Sequence, residues 1–442
     1  MKTVLKKGIA LVTMTLALGT TYSQLKISGE IRPRFEYRHG YKTLPDSAAN
    51  HAASIDQRTR INFDYTKDQI KFKVTLQDVR TWGSQKQLVG NESFGVSVHE
   101  AWGEATSKNK FHKLKFGRQE LVYDDHRILG SVGWAQQARS HDAVIYKYGK
   151  DKLQFHFGLA YNQNKGALNT TNYSVPKSYK AMQYLWANYA ATPELKVSVL
   201  AMSVGQQVNK YDPITEELTN FHDNYTLTTG TRITYNKNKL GVDFSGYYQM
   251  GATPTYKAYN VSAYNVNLAL SYKVTDAIKA TLGYAMLSGN DKTDTTSSYV
   301  NDQHAFSPYF GTNHKFNGYM DYFYVGNFGG NVGLNDGYLK LDYKHAKFTA
   351  GLKAHVFMAN NNILDAKELA DNGKYKAMNA YLGSEIDLYG AFKLTPATTC
   401  KIGYSQMFGT SSMEAVKDGD MREMSNWAYV MIIMKPTLFK SK

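Results

Sequence analysis

The feature that most constrains this chain is a repeated alternation of apolar and polar side chains. In the run LKISGEIRPRFEYRH (25–39), Ile31 and Phe35 share one parity and Arg32 and Arg34 share the other. Because successive side chains of a strand point to opposite faces, such a run predicts a β-strand with one apolar and one polar face. This strand fits a soluble antiparallel sheet with one wet face, or a membrane barrel with a lipid-facing outside and a wet lumen.

The same alternation recurs along the whole chain, for example in KLGVDFSGYYQM (239–250) and KFTAGLKAHVFM (347–358). Counting these period-two runs predicts about eighteen strands. The predicted strands are 25–38, 56–67, 69–81, 96–106, 111–122, 140–149, 152–162, 180–191, 195–205, 225–235, 240–250, 259–273, 277–288, 336–344, 347–358, 377–393, 397–408 and 425–438.

The connections between these strands alternate between short and long. Tight turns such as Lys67-Asp68 and GKD (149–151) alternate with long loops. The long loops are 39–55, 82–95, 123–139, 163–179, 206–224, 289–335, 359–376 and 409–424. This sorting is typical of up-and-down outer-membrane barrels, with short turns on the periplasmic side and long loops outside. We therefore predict an all-β fold, a transmembrane antiparallel up-and-down β-barrel formed by residues 24–442 as a single domain.

The N-terminus agrees with export to the outer membrane. A basic start (Lys2, Lys6, Lys7) precedes an apolar run and small residues ending at Ser23. This pattern predicts a cleaved signal peptide at 1–23, since the apolar run is too short to span a bilayer as a helix. The protein is therefore predicted to lie in the outer membrane of a Gram-negative cell.

Motifs for catalysis are missing from the sequence. There is no G-x-S-x-G elbow, and His99-Glu100 is not followed by the second histidine of a zinc pair. The single cysteine, Cys400, excludes a disulfide framework and thiolate metal clusters. The acidic pair Asp124-Asp125 and the loop GNDKTD (289–294) are more simply explained as turn and solvated loop residues. We predict no enzyme, no catalytic or metal residues and no cofactor.

The charge balance is strongly basic. The formal net charge is +15, or +12 once the three lysines of the signal are removed. Nucleic-acid binding is the usual explanation of such a balance, but export makes it a poor one here. The predicted partners are therefore anionic solutes and the lipid of the outer membrane.

Arginine is concentrated in the first third of the chain. Arg32 and Arg34 share the polar face of the first strand, and Arg58 and Arg60 share that of the second. Lys71 and Lys73 lie on the polar face of the third. Placing arginine or lysine toward lipid costs about 2–4 kcal/mol at mid-membrane, so these residues are predicted to line the lumen. There they form a cationic track for anions, or they are structural and pair with neighbouring acids such as Glu30 and Glu36.

Two loops carry further information. The 123–139 loop is rich in Gly, Arg and Asp, and the 289–335 loop is dense in Tyr and Phe. Aromatic faces suit the packing of sugar rings. The alternative is that these loops form a lid or plug.

The run FGRQEL…DDHRILGS…W…ARSHDAV (116–144) resembles the signature region of the alginate export family of outer-membrane porins, and HKFNGYMDYFYVGN (314–327) is similar to Bacteroidetes-type members. The likeness extends over most of the mature chain. It implies an eighteen-stranded barrel with a constricted, arginine-lined, anion-selective pore for a uronic-acid polysaccharide. By motif match, it implies these pore-region residues: Arg118, Glu120, Arg127, Arg139 and Asp142.

From these observations we expect a monomeric outer-membrane channel for passive passage of anionic saccharides or small anions. The alternative is a structural or adhesive barrel whose pore is closed by its loops. The sequence leaves open the actual substrate, the direction of transport and any periplasmic export or uptake partners.

Overall fold

The computed structural model describes residues 24–88, 95–173, 175, 178–212, 214, 218–326 and 331–441. The predicted signal peptide at 1–23 lies outside the described residues. Within them the chain is mostly β-structure, and none of its helices is long and apolar enough to cross a bilayer. The helices are α1 Ser297–Val300, α2 Ala366–Asn372, α3 Ser411–Lys417 and a 3-10 turn at Asn313–Lys315.

In the described part of the chain, twenty strands belong to one sheet. They are β1 Gln24–His39, β2 Ala52–Lys67, β3 Ile70–Thr81, β4 Ser97–Thr106, β5 His112–Gln119, β6 His141–Lys150, β7 Leu153–Tyr161, β8 Ala181–Ala190, β9 Leu195–Tyr211, β10 Leu218–Lys237, β11 Leu240–Ala252, β12 Asn260–Lys273, β13 Ile278–Leu287, β14 Asp302–Gln303, β15 Leu334–His345, β16 Phe348–Met358, β17 Tyr381–Thr395, β18 Thr398–Gly409, β19 Ser425–Met434 and β20 Thr437–Lys440.

The sheet closes on itself. Each long strand pairs antiparallel with its neighbours, and β1 pairs with both β2 and β19. The two-residue β14 is a short parallel pairing within a loop, and β20 continues the line of β19 beside β1 after Pro436. The wall therefore has eighteen strands, and the predicted barrel and strand count are confirmed. Closure leaves no sheet edge to be satisfied by lipid.

The two faces of the wall follow the predicted alternation. On β1, Ile31 and Phe35 are each 41% exposed, whereas Arg32 and Arg34 are 6% and 5% exposed. Apolar side chains therefore cover the outside, and polar ones point into the lumen. Exposed tyrosines lie near both ends of the strands, as in the aromatic girdles of membrane barrels; examples are Tyr161 and Tyr381 at one end and Tyr189, Tyr272 and Tyr343 at the other.

The periplasmic turns are tight. Two residues connect β2 to β3, β6 to β7 and β10 to β11. Their first residues, Asp68, Asp151 and Asn238, have φ of 50°, 50° and 54°. Two-residue hairpins require this left-handed backbone, which Asn and Asp adopt more readily than most residues.

Several strand boundaries differ from the prediction. The runs predicted at 195–205 and 225–235 are parts of the longer strands β9 and β10, which pair as far as Tyr211 and Leu218. This extension carries polar residues on both faces, so apolar alternation could not reveal it. In contrast, β5 ends at Gln119, and the chain then turns into the lumen.

Candidate functional site in the barrel lumen

Two long loops fold into the lumen and contact each other there. Loop L3 (120–140) connects β5 to β6, and loop L7 (288–333) connects β13 to β15. The Gly130 N–H donates to the Phe310 carbonyl at 2.9 Å, and the Thr312 N–H donates to the His126 carbonyl at 2.8 Å. Leu129 beside this contact is fully buried. The lumen is therefore narrowed by two loops that hold each other.

The tip of L3 is held by arginines of β1 and β2. The Arg32 guanidinium donates to the Gly133 carbonyl at 2.7 Å, to the carbonyls of Trp134 and Ala135, and to Gln136 Oε1 at 2.7 and 2.9 Å. Arg34 Nη1 donates to the Trp134 carbonyl at 2.7 Å, and Arg58 Nη1 donates to the Gln136 carbonyl at 3.3 Å. These three side chains point into the lumen and are buried against L3, and Arg34 also reaches the extracellular cavity.

Neighbouring acids neutralise the same arginines. Glu30 accepts from Arg58 at 2.6 and 3.0 Å, and Glu36 pairs with both Arg34 and Arg38. The sequence left open whether Arg32, Arg34 and Arg58 form a cationic track or are structural and pair with neighbouring acids, and these contacts favour the structural role. Each of the three guanidinium groups donates to at least one carbonyl of L3, so these arginines anchor the loop.

Trp134 lies at the centre of this contact. The Arg34 guanidinium lies 4.3 Å from the centroid of its ring, and the His314 ring of L7 stacks at 4.4 Å between centroids. Trp427 and Tyr429 of β19 meet it edge-on at 5.7 and 4.9 Å. Both faces of this indole are occupied, so it is not available to stack a sugar.

Four other predicted residues lie on the periplasmic side of L3 or on its underside. Arg60 Nε donates to Gln77 Oε1 at 2.7 Å, Lys73 pairs with Glu100 at 2.7 Å, and Glu120 contacts His99 at 2.8 Å. Lys71 is exposed near the β2–β3 turn.

Arg118 and Asp142 lie apart from the arginines of β1 and β2 that hold L3. They pair with each other at 2.9 Å, with side chains 43% and 58% exposed. They share strand parity with the exposed Phe116 and Val144. The motif match implied a position in the pore region; the alternation of β5 and β6 gives both residues the outward parity, and both reach the rim of the extracellular cavity.

Arg127 and Arg139 both leave L3 toward L7. Arg127 pairs with Asp125 at 2.8 Å, and its guanidinium lies 3.9 Å from the Phe316 ring centroid. Arg139 Nη1 donates to the Gly311 carbonyl at 3.3 Å. Burial lowers the pKa of Arg139 to about 10, so it remains charged at neutral pH. These two arginines lie at the L3–L7 contact and not beside Arg32.

The acidic pair of L3 also has a positional role. Asp124 Oδ1 accepts from Ser198 Oγ at 2.6 Å and from Trp186 Nε1 at 3.1 Å. Burial raises its pKa, and the two hydrogen bonds favour the charged form. Asp124 therefore ties L3 to the wall at β8 and β9, opposite its arginine anchors.

Above the loops lies an extracellular cavity of about 1780 Å³. Five arginines line it: Arg34, Arg38, Arg80, Arg118 and Arg139. Its aromatic lining residues include Tyr41, Tyr173, Tyr179, Phe306, Tyr309 and Phe310. The acids Asp56, Asp142 and Asp321 also reach it. Arg38 and Arg80 were not among the predicted site residues, although the concentration of arginine in the first third of the chain pointed to this side of the barrel.

A cluster of buried polar side chains on β15, β16 and β17 connects L7 to the barrel wall. Glu385 and Asp387 on β17, His355 on β16 and Asp336 on β15 are all at most 1% exposed. His355 Nδ1 lies 2.7 Å from Asp336, and its Nε2 lies 3.6 Å from Asp387. Glu385 Oε1 accepts the Met320 N–H of L7 at 2.9 Å. The sequence signal for this cluster was the shared parity of Glu385 and Asp387, which the prediction did not use.

Across the residues that the structure describes, no three His, Cys, Asp or Glu side chains are placed to hold a metal ion.

The exposed pair at the rim leads to a stability prediction. Asp142→Asn is expected to change the free energy of unfolding by at most about 0.5 kcal/mol, because exposed ion pairs contribute little. Asp125→Asn is the matched comparison, since its pair with Arg127 is largely buried; it should destabilise the protein more. Urea unfolding in detergent, followed by tryptophan fluorescence, measures both. Equal losses in the two variants would contradict the placement of Asp142.

An eighteen-stranded antiparallel barrel with lipid-facing apolar side chains and a loop-narrowed lumen is the architecture of an outer-membrane porin-type channel. The chain belongs to the alginate export family, whose family model matches residues 23–426. It is an outer-membrane protein of a Gram-negative cell, as predicted.

Solved porin structures share this fold at low sequence identity. OprD from Pseudomonas aeruginosa is 14% identical with a TM-score of 0.58, and the match covers 94% of each chain. OpdQ from the same organism is 13% identical with a TM-score of 0.56, covering 94% of this chain and 98% of its own. OpdK from Pseudomonas aeruginosa, solved with vanillate, is 9% identical with a TM-score of 0.57, covering 93% and 98%. No curated protein sequence matches the chain.

Proposed function

We propose that this protein acts as a monomeric channel that lets anionic saccharides or small anions diffuse across the outer membrane. The extracellular cavity carries the proposal, because both arginines and aromatic rings line it. Arginine binds carboxylates with a planar, permanently charged fork, and aromatic rings pack against sugar faces. Membership of the alginate export family supports a polyuronate as the solute.

The charged side chains of the cavity determine which solutes it would admit. Arg38 pairs with Glu36 and lies over the Tyr41 ring, and Arg80 pairs with Asp78 at 2.7 Å. Both arginines remain partly exposed, so they can also meet a solute. Since OpdK was solved with vanillate, a small aromatic carboxylate is a further solute to test beside uronate oligosaccharides.

Single-channel recording in planar bilayers tests this function. Under a KCl gradient, the wild-type reversal potential should show anion selectivity. Arg38→Gln combined with Arg80→Gln should lower the ratio of anion to cation permeability roughly threefold, because the cavity loses two of its positive charges. Arg422→Gln is the matched control, since Arg422 is 82% exposed beside Asp420 on the outer surface. Unchanged selectivity in the double variant would contradict the role of the cavity arginines.

A second function is a structural or adhesive barrel with a closed pore. The contact between L3 and L7 favours it, since Leu129, Met320, Tyr322 and Phe323 are fully buried between loops and wall. Such a barrel would carry no current in the wild type, and its function would reside on the outer surface. The same recording therefore distinguishes the two functions.

A further inference from the structure

The arginines of the first third account for only part of the basic charge. A separate group of lysines lies at the periplasmic mouth of the barrel. Among the described residues, nine strands each place a lysine on the luminal parity close to their periplasmic end, and Lys435 directly follows β19 with the same parity. These residues, called the mouth lysines, are Lys26, Lys71, Lys113, Lys196, Lys273, Lys279, Lys344, Lys393, Lys401 and Lys435.

The strand parity of these lysines follows from buried neighbours. Lys279 shares its face of β13 with the buried Ala285, whereas Leu282 on the other face is 62% exposed. Lys344 shares its face of β15 with the buried Asp336. Lys435 reaches the luminal Glu30 at 3.2 Å. The mouth lysines therefore surround the lumen and do not lie on the lipid side.

The charge of this ring is largely uncompensated. On the same face, near the same ends, lie the carboxylates of Asp64, Glu104, Asp243 and Asp342. Glu104 already pairs with Lys147, Asp243 with Arg232, and Asp342 with Lys340. Of the ten mouth lysines, only Lys435 is within ion-pair distance of a described carboxylate. The adjoining turns contribute Asp68, Asp151, Glu194 and Asp276, and these are outnumbered by lysines.

We propose that the mouth lysines capture anionic polymer chains at the periplasmic entrance and feed them toward the lumen. This proposal rests on the proposed anion passage and assigns its periplasmic binding site. A ring of one sign around a low-dielectric opening focuses the field and raises the local concentration of counter-charged solute. Lysine suits loose capture, because its ammonium is a hydrated point charge on a flexible stem and does not grip carboxylates in a fixed geometry.

A matched pair of triple variants tests the ring. The test variant is Lys273→Gln, Lys279→Gln and Lys344→Gln, on three neighbouring strands of the mouth. The control variant is Lys67→Gln, Lys150→Gln and Lys237→Gln, three exposed lysines at the same level but on the outward parity of β2, β6 and β10. Both lose the same charge, and an unchanged heat-dependent gel shift shows that each barrel folds.

The measured quantity is the association rate of an oligogalacturonate that blocks single channels. An epitope tag inserted at the exposed Gly373, in the loop after β16, assigns the orientation of each channel. At low salt, the test variant should lose about tenfold in association rate from the periplasmic side, and the difference should shrink near 1 M salt, where the Debye length is about 3 Å. The rate from the extracellular side and both rates of the control variant should stay at the wild-type values.

Two results would overturn the proposal. The first is a wild-type periplasmic rate in the test variant, and the second is an equal loss in the control variant, which would show that net charge and not luminal position matters. If the wild-type channel is anion-selective but is not blocked from the periplasmic side, only the capture site is contradicted. If the wild type carries no anion current, both the proposed function and this inference are contradicted.

Discussion

Replacing Arg32 by methionine is expected to release the tip of L3 and to raise the single-channel conductance severalfold. Arg32 alone donates to three L3 carbonyls and to the Gln136 side chain. Each hydrogen bond from a charged donor contributes about 1.5–3 kcal/mol, and each 1.4 kcal/mol is about a factor of ten in an equilibrium constant. The docked state of L3 should therefore lose at least about two orders of magnitude in relative population.

Arg60→Met is the matched control for this experiment. Arg60 is also a luminal arginine, on the strand next to β1, but its Nε donates to Gln77 of the wall and not to L3. Conductance and current noise should change little in this control. If Arg32→Met kept the wild-type conductance and noise, the assignment of Arg32 as a loop anchor would be wrong.

The second large effect is expected on stability, from His355→Leu. His355 is the imidazole between Asp336 and Asp387, and all three are at most 1% exposed. Its loss leaves two buried carboxylates without their shared partner, and breaking a buried charge pair in this way costs about 3–5 kcal/mol. The urea midpoint of the barrel in detergent should fall accordingly.

Two further variants separate this charge effect from general damage. His345→Leu changes an exposed histidine at the β15–β16 turn and should leave the midpoint unchanged. The triple replacement of His355, Asp336 and Asp387 by leucine should recover much of the loss, because it removes the imidazole together with both of its carboxylate partners, and such a joint replacement is often neutral or stabilising. A single variant as stable as the wild type would show that the cluster contributes nothing.

The barrel itself was predictable because its determinants are local. The parity of Ile31 and Phe35 against Arg32 and Arg34 gave the facing of β1, and tight turns such as the one at Asp68 gave the order of short and long connections. Both depend only on the period of the strand and on the cost of placing charge in lipid.

The arrangement inside the lumen was not predictable in the same way. Arg32 meets Gln136, 104 residues along the chain, and the His126 carbonyl meets the Thr312 N–H of another loop. No periodic pattern encodes such distant pairs. The sequence therefore indicated that Arg32 points inward, but not that a loop would cover it. Arg118 is a different case, since it has the strand parity of the outward-facing Phe116 and yet reaches the extracellular cavity.

The position of Trp134 has a consequence for how the barrel is completed. The first and last strands of the wall meet at β1 and β19, and Trp134 contacts Arg34 on β1 together with Trp427 and Tyr429 on β19. Its ring therefore connects β1 to β19 on the luminal side, through cation–π and edge-on contacts that each contribute about 0.5–1.5 kcal/mol. The site that this ring occupies is complete only after the two strands have come together. An open sheet would therefore lack part of the contact surface for L3, whereas the anchors of the loop at Arg32 and Asp124 do not depend on closure.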